Sequence, residues 1–169
     1  FFLHLARGSG LRGLGGIYPV NGMYIRPLLC VGRKEIEDYL KGREMPYCID
    51  ATNMEDAYMR NRIRNHVIPY FKENINEKTV EHMNRSMDQL REIWDYMERQ
   101  TESAYQICTD QNGEKICIHA DAYHRQERLI RKMILRKALA LVAEHEKDLE
   151  QVHVEKLEGL FEKQVGKRL

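Results

Sequence analysis

The sequence lacks the features that would assign it to a metal-binding, disulfide-rich or membrane class. None of its four cysteines, Cys30, Cys48, Cys108 and Cys117, belongs to a CxxC pair, so the spacing that closes a tetrahedral zinc site is missing. Cys108 and Cys117 could face each other across a hairpin, but we expect buried free thiols in a reducing compartment. No apolar run approaches the roughly 20 residues of a membrane span. We therefore predict a cytoplasmic protein with no metal site and no membrane partner.

Acidic residues are missing from one end of the chain. The whole sequence has a net charge of +1, with 43% hydrophobic and 31% charged residues, which is typical of one or two folded domains. The first 34 residues contain no Asp or Glu but five basic residues, Arg7, Arg12, Arg26, Arg33 and Lys34. This local excess predicts a positive surface, which the net charge of the whole chain does not reveal.

Glycine is concentrated just inside that acid-free region. Residues 7–17 (RGSGLRGLGGI) hold five glycines, which permit positive φ angles and let backbone N–H groups converge on an anion. Arg7 and Arg12 add charge beside them. A flexible connection from a helix to a strand is the alternative that the spacing leaves open. Residues 1–6 have the pattern of the last turns of a helix without an N-cap, which is typical of an excised piece.

Residues 24–48 alternate between extended and helical patterns. Residues 24–29 predict a short strand that Pro27 interrupts, and therefore an edge or a strand end. Residues 32–40 predict an amphipathic helix with Ile36, Tyr39 and Leu40 facing inward. A strand, a helix and a second extended piece in this order predict the tail of an α/β domain.

Residues 50–69 (DATNMEDAYMRNRIRNHVIP) combine a turn-forming start with a helical pattern rich in arginine and asparagine. Asp50, Thr52 and Asn53 are turn and cap formers that can satisfy free backbone N–H groups. A helix is predicted over residues 57–71, although Pro69 should restrict it further on. Its apolar stripe consists of Met59, Ile63, Val67 and Tyr70.

Five pieces of the sequence, in this order and spacing, resemble one known family. They are RGSGLRGLGGI, IRPLL, RKEIEDYL, DATN and RNRIRNHVIP. Together they are similar to the tRNA(Ile)-lysidine synthetases, which are ATP pyrophosphatases with a PP-loop. The resemblance is strong over about the first 70 residues and weak over the helical remainder. It implies a mainly α protein with a small α/β remnant. Residues 1–70 would be the C-terminal part of a Rossmann-like PP-loop domain, and residues 71–169 a helical tRNA-binding or linker domain with one β-hairpin.

The resemblance also implies an activity and its partners. The family uses ATP with Mg²⁺ to adenylate the wobble cytidine of a CAU-anticodon tRNA(Ile), and then attaches lysine to give lysidine. The family's Ser-Gly-Gly-x-Asp-Ser loop, which grips the pyrophosphate of ATP, would lie upstream of Phe1. We therefore expect a truncated piece that is inactive alone and binds ATP poorly or not at all, without bound Mg²⁺, and we assign no catalytic residue in it.

The predicted helix over residues 57–71 carries the strongest candidates for substrate binding. Arg60 and Arg64 lie one turn apart at the edge of the apolar stripe, where a guanidinium can be half buried and directed at a fixed target. Asn61 lies on the next face, and Arg62 points away, to solvent or to RNA backbone. The resemblance implies that Asp50 and Asn53 also shape the pocket. The predicted nucleotide- and substrate-binding residues are Arg7, Gly8, Gly10, Asp50, Asn53, Arg60, Asn61 and Arg64.

Beyond residue 71 the sequence predicts long helices and one hairpin. Apolar residues at alternating steps of three and four predict a packing seam on a helix that reaches about residue 104. This seam consists of Val80, Met83, Met87, Leu90, Trp94 and Met97. Residues 106–109 and 115–118 flank an Asn-Gly turn and predict the hairpin. Further helices are predicted over residues 121–146 and 151–165.

The helix predicted over residues 121–146 carries a basic stripe within about 80° of its circumference, at 100° per residue. Such a stripe can follow an RNA backbone. A solvated stripe paired with the acids of residues 81–102 is the alternative. The predicted RNA-binding residues are Arg12, Arg26, Arg62, Arg125, Arg128, Lys132 and Arg136. Two other function classes also stay open, a tRNA-binding module without chemistry and a helix–helix interaction module that forms a homodimer through the seam.

Overall fold

Helices dominate the part of the chain that the computed structural model describes, which is residues 1–48, 52, 55–113, 115–143 and 151–161. This confirms the mainly helical fold class. The strands described there form two antiparallel hairpins rather than one. The helices are α1 (Phe2–Ala6), α2 (Leu11–Leu14), α3 (Arg33–Gly42), α4 (Met59–Arg62), α5 (Ile68–Asn74), α6 (Thr79–Cys108), α7 (Ala120–His124), α8 (Arg128–Val142) and α9 (Gln151–Phe161). The strands are β1 (Val20–Asn21), β2 (Tyr24–Ile25), β3 (Thr109–Asn112) and β4 (Lys115–Ile118).

The chain divides into two compact units, Phe1–Trp94 and Asp95–Leu169. Within the first unit, the glycine-rich segment packs against the first half of α6. A Cβ added to Gly15 would lie 2.9 Å from Cγ of Arg91, and one added to Gly16 would lie 3.0 Å from Sδ of Met87. Gly16 also has φ +74°, a conformation that favours glycine. Close approach to a helix therefore accounts for these two glycines, a reason that their spacing alone does not reveal.

The strand predicted over residues 24–29 is much shorter in the structure and belongs to a hairpin. Tyr24 and Ile25 pair with Asn21 and Val20, and a 3₁₀ turn (Pro27–Cys30) follows. Pro27 has no N–H to donate to a strand partner, which ends the pairing as expected. Both strands of this hairpin are exposed.

Helix α3 begins where the sequence predicts it, and the Gly32 N–H donates a 2.6 Å hydrogen bond to Oε2 of Glu35. This bond satisfies one of the free donors at the helix start. Ile36 and Leu40 are half-buried. The inward placement predicted for Tyr39 is wrong, because its side chain is 58% exposed and the Arg43 guanidinium lies over its ring.

The arginine-rich segment is helical from Met59 to Asn74 and contains a π turn (Ile63–Val67) between α4 and α5. The prediction that Pro69 restricts the helix is wrong, since Pro69 lies in the first turn of α5. The π turn already displaces the regular backbone ladder, so the missing N–H and the ring of proline are accommodated there. The predicted stripe is corrected as well. Ile63 and Val67 are half-buried, but Met59 and Tyr70 are exposed.

Helix α6 carries the predicted seam and ends four residues later than predicted, at Cys108. Met97 is buried, and the seam residues before it are half-buried, except Val80, which is 40% exposed. In the first unit the anchor is Arg91. Its guanidinium donates to the Ile17 carbonyl, lies over the Tyr18 ring and pairs with Asp88. These contacts fix the glycine-rich segment on α6.

The second unit is built around a small core that includes the end of α6. Its fully buried side chains are Cys108, Tyr123, Ile134 and Leu135, and Phe161 stacks on Tyr123 with ring centroids 4.4 Å apart. Burial raises the pKa of the Cys108 thiol. All four cysteines are free, as predicted, but the other three are exposed rather than buried.

Two boundaries in the second unit differ from the predictions. Residues 106–108 continue α6 instead of starting the hairpin, which pairs Thr109 with Ile118 and Asn112 with Lys115. The single helix predicted over residues 121–146 is instead α7 and α8, separated by residues 125–127. None of the described helices is long and apolar enough to cross a membrane.

Candidate functional site

Polar side chains on α4 and the π turn form three neighbouring rows, because residues four apart lie on one side of a helix. Arg60 and Arg64 form the first row. Both side chains are exposed, and neither makes a hydrogen bond or ion pair with any residue that the structure describes. A guanidinium with all its donors directed to solvent can take a carboxylate or phosphate in bidentate fashion. This row is therefore available for an anionic ligand.

The second row begins with Asn61, which is only 8% exposed. Its Nδ2 donates two 2.9 Å hydrogen bonds, to the backbone carbonyls of Thr52 and Glu55. An amide group that satisfies two carbonyls while buried stabilises the loop that carries them. The structure thus places Asn61 beneath the preceding loop, beside the predicted substrate residues Arg60 and Arg64 but with its amide donors already used.

Asp56 is the centre of a second set of contacts with the same helix. Arg62 Nε donates 2.7 Å to its backbone carbonyl, and His66 Nε2 lies 2.6 Å from its Oδ2. Asn65 Nδ2 makes a longer contact of 3.4 Å with its Oδ1. The hydrogen bond from His66, with a smaller contribution from Asn65, lowers the pKa of the Asp56 carboxyl. The second and third rows are therefore occupied by the chain itself.

The other predicted substrate-binding residues lie apart from this helix in the sequence. Arg7 is exposed at the end of α1. Gly8 has φ +68°, and Gly10 precedes the four-residue helix α2. A Cβ at either glycine would meet no described residue within 4 Å. Asp50 and Asn53 lie outside the described residues.

The predicted RNA-binding arginines of the first unit, Arg12, Arg26 and Arg62, differ in exposure and in the contacts that they make. Arg26 is half-buried and donates 3.0 Å to the Tyr18 carbonyl. Arg62 is exposed but holds the Asp56 carbonyl. Arg12 is exposed and takes part in an interaction of its own. All three side chains therefore already interact with other residues of the chain, whereas Arg60 and Arg64 have no partner among the described residues.

The basic stripe predicted on one helix of the second unit is broken, because Arg125 lies between α7 and α8. On α8, Arg128 Nε and Lys132 Nζ lie 3.9 and 3.7 Å from the carboxylate of Glu158, a residue of α9. These distances allow attraction between charges but exceed those of hydrogen bonds. Arg125 and Arg136 are exposed. Two of the four stripe residues therefore share an acid from α9, which lies outside the range predicted for the partner acids.

Lys137 is the α8 cation that does pair within the predicted acid range. It forms an ion pair with Glu102, and this contact lowers the pKa of the Glu102 carboxyl. Its ammonium also lies 4.8 Å from the centre of the Tyr105 ring. The charge of Lys137 is thus directed toward α6 rather than away from the unit.

Sequence reasoning missed Asp56 and His66. The signal that could have found them is the spacing of Arg62, Asn65 and His66, which places three hydrogen-bond donors on one side of a helix that directly follows a loop. Within the described ranges, no group of three His, Cys, Asp or Glu side chains could hold a metal ion.

The first 71 residues of the chain are similar to a known domain family. Residues 1–71 match the family model of the PP-loop domain, which ends within α5.

Curated relatives are similar to nearly the whole chain. The chain is 40% identical to the tRNA(Ile)-lysidine synthase of Caldanaerobacter subterraneus subsp. tengcongensis, over 99% of its own length and 36% of that protein. It is 34% identical to that of Clostridium perfringens and 32% identical to that of Clostridium acetobutylicum, over 96% and 99% of the chain. The chain is therefore a relative of the tRNA(Ile)-lysidine synthases, which confirms the resemblance. It spans about a third of the length of these relatives.

Proposed function

We propose that this chain forms part of a ligase that modifies tRNA in the cytoplasm. The reaction attaches lysine to the wobble cytidine of a tRNA(Ile) with a CAU anticodon, through an adenylated cytidine, and converts ATP to AMP and diphosphate. The similarity to tRNA(Ile)-lysidine synthases over nearly the whole chain supports this proposal. Because the chain spans about a third of their length, it supplies only part of the site, and we expect it to be inactive alone.

The two parts of the chain have different roles in this proposal. Residues 1–70 are the C-terminal part of a Rossmann-like PP-loop domain, which the family match over residues 1–71 supports. Residues 71–169 form a helical domain that contributes to tRNA binding or links other parts. The first compact unit extends further, to Trp94, because the first half of α6 packs on residues 15–18.

Arg60 and Arg64 bind phosphate groups of the tRNA substrate. The observation that carries this assignment is that both side chains are exposed and have no partner among the described residues, one turn apart on a helix whose neighbouring rows are anchored. Each charge-assisted contact of this kind contributes about 1.5–3 kcal/mol. Arg7, which is also exposed, has the same chemistry for an anionic group near Gly8 and Gly10.

ATP with Mg²⁺ supplies the activation of the cytidine in this proposal. Exposed guanidinium groups fit the phosphates of a nucleotide. The side chains described here offer no group of three metal ligands, so no residue is assigned to Mg²⁺. Lysine is the second small substrate.

The proposal is tested by lysidine formation in a protein of the relatives' full length that carries this sequence. Arg60→Ala and Arg64→Ala should each lower kcat/KM about 10- to 150-fold, since one charge-assisted contact is lost. Arg85→Ala is the matched control, because Arg85 is an exposed helical arginine that pairs with Glu81, four residues before it. Turnover at the level of the unmodified protein in both variants would sink the assignment.

A tRNA-binding module without chemistry is the second candidate, favoured by the same exposed arginines. It predicts that the chain alone binds tRNA and that its affinity falls steeply with salt, because released counterions drive phosphate contacts. No binding even at low salt would exclude this candidate. A homodimer formed through the seam of α6 is the third, and sedimentation of the chain as a monomer at high concentration counts against it.

A further inference from the structure

The loop before α4 is fastened to the helix that carries Arg60 and Arg64 by five side-chain hydrogen bonds. Asn61 donates to the carbonyls of Thr52 and Glu55, and Arg62 donates to that of Asp56. The Asp56 carboxylate accepts from His66 and, at 3.4 Å, from Asn65. All of these donors lie within six residues of one another on the helix. We define them together, with their acceptors, as the loop clamp.

The rows of the helix explain why this arrangement is specific. Asn61 and Asn65 form one row and Arg62 and His66 the next, each pair four residues apart, and both rows face the loop. Arg60 and Arg64 form the remaining polar row and face solvent. If all three rows were free, the helix would present six polar side chains with no fixed partner. The clamp instead leaves one row available beside a loop held at a defined place.

The chemistry of the clamp differs from that of a surface ion pair. Asn61 is 8% exposed, and both of its donor hydrogens are used, so removing the amide leaves two backbone carbonyls without these donors. Asp56 and His66 are exposed by half or more of their side chains, but they close the loop at its other end. A buried amide and an exposed carboxylate–imidazole pair therefore fix the loop at two points.

We propose that Asn61 and His66 are positioning residues, which hold Thr52, Glu55 and Asp56 in place beside Arg60 and Arg64 so that the substrate meets a preformed surface. This inference rests on the proposed function of Arg60 and Arg64. Preorganisation of this kind acts on rate, because a misplacement of about 1 Å can cost about 100-fold.

Two measurements on the same variants test the proposal. The first is hydrogen exchange of the backbone amides of residues 52–58 in the 169-residue chain, which needs no ligand. His66→Ala and Asn61→Ala should accelerate exchange there about tenfold or more. His66→Gln, whose amide nitrogen can reach the position of Nε2, should restore protection. The matched controls are His82→Ala and Asn74→Ala, at exposed residues of α6 and α5, which should leave exchange of residues 52–58 unchanged.

The second measurement is lysidine formation in a protein of the relatives' full length that carries this sequence. The clamp variants should lower kcat about 10- to 100-fold with a smaller change in KM, and His66→Gln should recover most of the loss. Unchanged exchange in both alanine variants overturns the clamp, and faster exchange with unchanged kcat overturns its positioning role. Should Asn61→Ala lose its helical circular dichroism, the comparison of His66→Ala with His66→Gln decides alone. A failure of the proposed function would be seen separately. It would appear as full turnover in Arg60→Ala and Arg64→Ala, independently of the hydrogen-exchange rates in the clamp variants.

Discussion

The two units of this chain each carry a helix with closely spaced cations, and the two helices use them differently. In the first unit, Arg60 and Arg64 are exposed and have no partner among the described residues. In the second, Arg128 and Lys132 lie within 4 Å of Glu158, and Lys137 pairs with Glu102. The sequence shows a similar density of positive charge in both places. What differs is whether the fold brings a carboxylate to them.

This difference shows that charge in a sequence and charge available to a ligand are separate quantities. Glu158 lies 26 to 30 positions after the cations it meets, and only the packing of α9 on α8 brings it there. Asp56 precedes Arg60 by four residues, but its carboxylate is bound by His66 and, at 3.4 Å, by Asn65, while Arg62 holds its backbone carbonyl. Among the residues that the structure describes, Arg60 and Arg64 therefore have no carboxylate partner, and the nearby acid is bound by other side chains.

The largest predicted effect separates the two clusters directly. The double variant Arg60→Ala, Arg64→Ala should lower kcat/KM for lysidine formation by about 100-fold or more, because two charge-assisted contacts are lost. The double variant Arg128→Ala, Lys132→Ala should change kcat/KM by less than about threefold, because cations that a carboxylate already partly neutralises contribute little. Steady-state kinetics of both double variants, each compared with the unmodified protein, checks this contrast. Equal losses in the two would remove the distinction between the clusters.

An intermediate effect is expected when the acid of the second cluster is removed. Glu158→Gln frees Arg128 and Lys132 and should raise the affinity of the chain for tRNA about two- to fivefold at low salt. Glu92→Gln, at an exposed position of α6, changes the net charge equally and should have a smaller effect. Filter binding or fluorescence anisotropy measures both. An identical gain in the two variants would show that net charge, not Glu158, is responsible.

The smallest effect concerns pH and the pair of Glu102 with Lys137. The pKa of Glu102 is lowered in the folded chain. The ion pair therefore stabilises the folded chain at pH values above the unfolded-state pKa of about 4.3. This stabilisation is lost as pH falls through the lower, folded-state pKa. Because the Glu102 side chain is 52% exposed, the contribution should be only a few tenths of a kcal/mol. A double-mutant cycle of Glu102→Gln and Lys137→Ala should show this coupling energy at pH 7 and none near pH 2, and a coupling that grows on acidification would contradict the assignment.

Much of the fold could be predicted from local patterns. The seam of α6, the hairpin with its Asn-Gly turn and the start of α3 follow from periodicity, turn chemistry and capping. The errors arise where tertiary contacts override local preference. Pro69 is accommodated by a π turn, and Tyr39 is exposed in spite of its inward periodicity. The break at residues 125–127 has no proline or glycine to signal it.

The candidate site could be predicted only in part. The arginines of residues 60–64 are visible in the sequence, because no packing helix requires so many guanidinium groups. Which of them are free could not be predicted, since this depends on Asp56 and on a loop whose carbonyls bind Asn61. The donors to Asp56 are spaced so that they lie on one side of the helix, and this spacing is the feature of the sequence that could have revealed the contact.

The salt dependence of tRNA binding tests the central claim most directly, that Arg60 and Arg64 are the available phosphate ligands. The affinity of the chain for a CAU-anticodon tRNA(Ile) would be measured across a salt series, for the unmodified chain and for the two double variants. Loss of two phosphate contacts should reduce the slope of log affinity against log salt by about 1.4–1.8 in Arg60→Ala with Arg64→Ala. The slope should be unchanged in Arg128→Ala with Lys132→Ala. Parallel slopes for the unmodified chain and the Arg60 and Arg64 double variant, or the reverse order of the two variants, would contradict the account.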